Sequence, residues 1–111
     1  MCITWQIKVI HNPISPIFRY APRGSVNECP IILHVGTASH KNLDKVITAV
    51  SDLEMELFIL GPLSSSQQLL LDRSGIRYQS FSGLPYEEVY ELYRKVDIIS
   101  FPSDYEGFGM P

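Results

Sequence analysis

The chain's 111 residues suit a single domain, and 45% hydrophobic with 19% charged residues supplies material for a core rather than a disordered tail. A net charge of −3 and a pI near 5.5, with no Lys/Arg cluster, argue against a nucleic-acid partner; any polyanion bound is small and held by a few directed groups. Cys2 and Cys29 have neither C-x-x-C spacing nor a histidine at zinc-finger distance, so no metal site and no redox pair is indicated, and a reduced, cytoplasmic protein is expected.

Residues 1–10 contain an apolar stretch without a basic start or a small-residue cleavage site, so they do not read as a signal peptide. No segment approaches the roughly 20 apolar residues that cross a bilayer. Residues 7–10 have the composition of an edge strand. Pro13, Pro16, Pro22 and Pro30 then punctuate the chain, which makes residues 1–30 a lead-in and linker and residues 31–111 a Rossmann-like domain of regular pattern.

From residue 31 the pattern alternates. Residues 31–36 and 56–61 are short apolar runs each ended by glycine, as expected of strands covered on both faces. Residues 77–81 and 97–102 complete a set of four strands, the last stopped by Pro102. Between them Leu43, Val46, Ile47, Val50 and Leu53 fall on one helical stripe, and Val89, Leu92, Tyr93 and Val96 on another. The middle helix is marked by cap residues at Ser64, Ser65 and Ser66, an apolar face at residues 69–71 and a stop at Gly75. The β-α-β-α-β-α-β order predicts an α/β fold, a Rossmann-like parallel sheet with flanking helices and right-handed crossovers. Strand order 3-2-1-4 would make strands one and four neighbours and bring residues 37–41 and 103–111 together beyond their carboxyl ends.

Two loops therefore carry the chemistry. After Gly36 and Thr37, Lys41 stands before a helix expected to start near Asn42, where free amides and the positive helix end suit an anion. A phosphate about 4 Å from Lys41 at an effective dielectric of about 20 gains roughly 4 kcal/mol before desolvation. The plainer alternative is that Ser39 caps the helix and Lys41 is solvated. In the second loop Glu106 can accept hydrogen bonds from hydroxyls, and the amides of Gly107, Phe108 and Gly109 can donate to a sugar or phosphate oxygen. Its plain alternative is an acidic turn with Phe108 packed beneath it. Neither G-x-G-x-x-G nor a P-loop occurs. His34 reads as a satisfied core histidine, Tyr86, Tyr90 and Tyr93 as a packing stripe, and Glu87 and Glu88 as first-turn acids of a helix.

Val35-Gly36-Thr37 with Lys41-Asn42, then Leu92-Tyr93-Arg94-Lys95-Val96-Asp97, Phe101-Pro102-Ser103 and Glu106-Gly107-Phe108-Gly109-Met110-Pro111, resemble in order the donor-binding domain of retaining glycosyltransferases of family four, or group one. Asn12-Pro13-Ile14 resembles the segment that enters that domain. The resemblance implies the two-domain GT-B architecture and transfer of a sugar from a nucleotide-sugar donor with retention, without a cofactor or metal. It implies Lys41 and Glu106 as the catalytic pair, Lys41 on the donor diphosphate and Glu106 on sugar hydroxyls. Gly36, Thr37 and the amides of Gly107, Phe108 and Gly109 would line the donor, and the loop at Gly83 and Leu84 would approach the base. Thr37 stands where many relatives have arginine. The family's second motif glutamate would fall eight positions after Glu106, beyond Pro111. The chain is thus expected to be a fragment holding the first half of the donor domain, inactive alone, with peripheral membrane contact left to the full enzyme and self-association open through its unfinished sheet. The alternative from another class is a noncatalytic α/β binding or interaction module, whose open sheet edge pairs with another chain.

Overall fold

The computed structural model describes residues 6–111. Its elements run β1 (Ile31–Val35), a 3-10 turn (Ser39–Lys41), α1 (Leu43–Val50), β2 (Glu56–Leu60), α2 (Ser65–Ser74), β3 (Arg77–Phe81), α3 (Tyr86–Lys95) and β4 (Ile98–Ser100). All strand pairs are parallel, and the sheet order is β3-β2-β1-β4. This is the α/β Rossmann-like arrangement expected, with β1 and β4 adjacent.

Period-two alternation along the central strands builds the two layers. Ile32, Leu57 and Ile59 face α1 and α2, where they bury Leu43, Val46, Ile47, Val50 and Leu71. Ile31, Leu33 and Phe58 face the other way, onto Leu92 of α3 and Val96 just beyond its end. Because β1 and β2 are sealed on both sides they can be apolar throughout; each fully buried Leu, Ile or Phe contributes about 1.5–3 kcal/mol of transfer free energy. Helix α2 begins with a reciprocal capping box, Ser64 Oγ accepting from the Gln67 amide and Gln67 Oε1 accepting from the Ser64 amide, and ends on Gly75 at φ +71°. Glu87 and Glu88 occupy the first turn of α3, and Arg94 and Lys95 its last, matching the helix dipole at both ends.

Several expectations are corrected. Residues 7–10 form no strand; Ile7, Val9 and Ile10 are exposed, and the sheet ends at β3 and β4 without them. Cys2 lies outside the described residues. Helix α1 closes at Val50, so Leu53 leaves the stripe and is exposed. The outer strands are not covered as the central pair is, and β4 leaves Ile98 and Ile99 exposed.

The linker is anchored at two points. Phe18 sets its ring edge-on against Tyr86, Tyr90 and Tyr93, so the tyrosine stripe of α3 is a packing surface for the lead-in segment. Asp97, between α3 and β4, accepts from the amides of Ile31 and Asn27 and from Asn27 Nδ2, and pairs with Arg23 at 2.8 Å. Burial raises the Asp97 pKa, but these hydrogen bonds and the Arg23 charge outweigh it and hold the carboxyl below its ordinary range.

Candidate functional site

The carboxyl ends of β1 and β4 are joined by five contacts between their loops. Asn42, buried and held at φ 59° and ψ 38°, donates from Nδ2 to the Pro102 carbonyl at 2.7 Å and to Asp104 Oδ1 at 3.0 Å. The Asp104 amide donates to the His40 carbonyl at 2.9 Å. The rings of His40 and Tyr105 stack with centroids 4.5 Å apart. Lys41 Nζ donates to Glu106 Oε1 in a salt bridge whose side chains are 18% and 25% exposed. Two residues singled out in separate loops thus meet.

Local backbone geometry explains why Lys41 reaches Glu106. Gly36 adopts φ +90°, which favours glycine, and a Cβ there would lie 3.1 Å from both Cγ and Cε of Lys41 and crowd the lysine stem against the strand end. The Lys41 ammonium also lies 5.4 Å from the Phe101 ring centroid. The charge-assisted hydrogen bond from Lys41 is the main cause that holds the Glu106 carboxyl below its ordinary range. Ser103 Oγ is buried close to this carboxylate and meets no partner in hydrogen-bonding geometry.

The other singled-out residues are placed as follows. Thr37 turns away from the ion pair: its hydroxyl donates to the Pro62 carbonyl, and its own carbonyl accepts from Gln67 Nε2 at 2.9 Å. With Ser39, Asn42, Asp44, Ser64 and Gln67 it borders a separate cleft of about 530 Å³. Ser39 opens the 3-10 turn and does not cap α1; the residue before that helix is Asn42, whose side chain makes no capping bond, while Asp44 brings a negative charge into the first turn. Gly107, Phe108 and Gly109 follow Glu106 on the exposed side, Gly109 at φ +78°. Phe108 is 60% exposed, so it is not packed beneath the turn. Gly83, at φ +67°, and Leu84 lie beyond β3, two strands from β1; Leu84 packs toward Phe58 and Phe81 rather than toward the ion pair.

His34 departs from the expectation of a satisfied histidine. It is 1% exposed, and neither ring nitrogen has a hydrogen-bond partner among the described residues. Burial pushes its pKa down against an opposing contribution from the Gly36 backbone, with the charge of Lys41 adding a smaller push in the same direction as burial. Among the described residues no group of three His, Cys, Asp or Glu is arranged to hold a metal, and no helix is long and apolar enough to cross a membrane.

A parallel sheet with a cationic loop and an acidic glycine loop at adjoining strand ends places the site where doubly wound folds hold ligands. In comparison with known proteins, the family described as glycosyl transferases group 1 matches residues 21–111. The match covers most of the chain, which belongs to that family, and a glycosyltransferase-type function follows. Neither the search of curated proteins nor that of solved structures returned a match.

Proposed function

We propose that residues 31–111 form the first half of the donor domain of a retaining GT-B glycosyltransferase and bind the diphosphate and sugar of a nucleotide-sugar. The observation that carries this reading is the Lys41–Glu106 pair, which sets a phosphate-type cation beside a hydroxyl-type acceptor at the carboxyl ends of neighbouring strands. In the reaction the bond from the anomeric carbon to the diphosphate oxygen breaks, and negative charge grows on the departing nucleoside diphosphate. Lys41 is placed to neutralise that charge, helped by the uncapped first-turn amides of α1. Glu106, kept ionised, accepts from sugar hydroxyls and fixes the anomeric carbon relative to its leaving group. The backbone at Gly107, Phe108 and Gly109 is open enough to donate to the donor, with Gly36 and Thr37 at its inner edge and the loop at Gly83 and Leu84 on the side of the base. No metal or cofactor is required, because lysine and helix amides take the place of a Lewis acid.

In this reading residues 31–111 supply the donor side of the reaction. The acceptor comes from the second domain of the architecture, which also provides any membrane contact; work in the cytoplasm follows from the nucleotide-sugar substrate. The test is calorimetric titration with UDP-glucose, GDP-mannose and ADP-glucose. At least one should bind, and Lys41→Ala and Glu106→Ala should each weaken it by about tenfold or more, the equivalent of one lost charge-assisted contact. Absence of binding, or variants that bind like the parent, would sink the donor-site reading.

A further inference from the structure

The cation that a diphosphate needs is paired with a carboxylate of the same site. Lys41 is held against Glu106, with both side chains partly shielded from water. The lysine stem runs against the Gly36 backbone, in the space that a side chain at position 36 would occupy. The acidic loop is tethered just before Glu106 by the Asn42 side chain, the bond from the Asp104 amide to His40 and the His40–Tyr105 stack. A phosphate that captures Lys41 therefore leaves a carboxylate within reach, stripped of its cation and facing the new negative charge. Like charges at such range repel, and the carboxylate loses the charge-assisted hydrogen bond that Lys41 supplied.

We propose that Glu106 is an internal competitor for Lys41, so that the site disfavours bare diphosphates and accepts those that bring sugar hydroxyls to the released carboxylate. This inference rests on Lys41 being the diphosphate residue, and it makes Glu106 a determinant of selectivity between sugar-bearing donor and sugar-free product. A ligand with both groups compensates both partners of the broken pair; one with phosphates alone compensates only the lysine. The same exchange eases release of the nucleoside diphosphate once the sugar has left, because Lys41 can return to Glu106.

Inorganic pyrophosphate isolates the effect, since it carries the phosphates and no hydroxyls to satisfy Glu106. Titrated calorimetrically at low salt into the 111-residue chain, it should bind Glu106→Gln about three- to tenfold more tightly than the parent, the range expected for losing a partly exposed ionic competitor. Lys41→Ala should lose that binding, and Tyr105→Ala, which loosens the loop without removing the carboxylate, should stay within about twofold of the parent. Circular dichroism on each variant verifies the fold. Equal or weaker binding by Glu106→Gln, with binding still lost in Lys41→Ala, overturns the competitor role and leaves the donor site standing. A gain in Tyr105→Ala as large as that in Glu106→Gln also overturns it, because loop release would then be the cause. No pyrophosphate binding by parent and Glu106→Gln, or indifference to Lys41→Ala, removes the phosphate role of Lys41 and this inference with it.

Discussion

Lys41 and Glu106 are 65 positions apart, and the residue that makes their meeting possible is Asn42. Its left-handed backbone ends the 3-10 turn and redirects the chain into α1, while its amide clamps the Pro102 carbonyl and Asp104. Asparagine is among the few non-glycine residues that visit this conformation readily. Asn42→Ala should therefore destabilise the fold by about 2 kcal/mol, from the lost buried hydrogen bonds and the added backbone strain. Urea denaturation measures this, and pyrophosphate binding in the same variant should change as the two loops part. Sequence reading located Lys41 and Glu106 through residue type and loop position but passed over Asn42. Its fitness as a helix-start residue was visible; its bond to a loop far along the chain was not, because that partner is set by which strands become neighbours.

At the scale of elements, α1 and α2 were legible because apolar periodicity, the serine cap and Gly75 agree with one another. The lead-in segment was legible only as a linker. What it does depends on α3: Phe18 seats on three tyrosines, and Asp97 gathers Arg23, Asn27 and the start of β1. Asp97 has a folded pKa below its ordinary 3.8, so its contribution is fully present above that value and is lost as pH falls through the lower, folded pKa. Asp97→Asn should accordingly lower the melting temperature at neutral pH, and in calorimetry the difference should shrink progressively as pH is taken below 3.8 toward the folded pKa. A difference that persists unchanged into acid would show that the anchor works through packing rather than charge.

The whole molecule has a well-sealed centre and an open side. Strand β4 pairs only with β1, and Ile98, Ile99 and Phe101 keep apolar surface in water. An unpaired parallel edge with apolar side chains invites another strand. The isolated 111 residues are expected to self-associate, and Ile99→Lys should shift sedimentation toward monomer at equal concentration; a parent that stays monomeric at high concentration contradicts this.

Local pattern alone determined the four strands and three main helices, the parallel topology and the two loops worth watching, since periodicity, caps and glycine stops are written in neighbouring residues. The strand assigned to residues 7–10 failed for the complementary reason: apolar composition makes a strand only where an edge is there to receive it. Tertiary structure decided that Lys41 is paired rather than solvated, that Thr37 faces Pro62 rather than the ion pair, and that His34 is buried without a partner. Each of these depends on which side chains the sheet order brings within hydrogen-bonding reach, a distance in space that spacing along the chain does not encode.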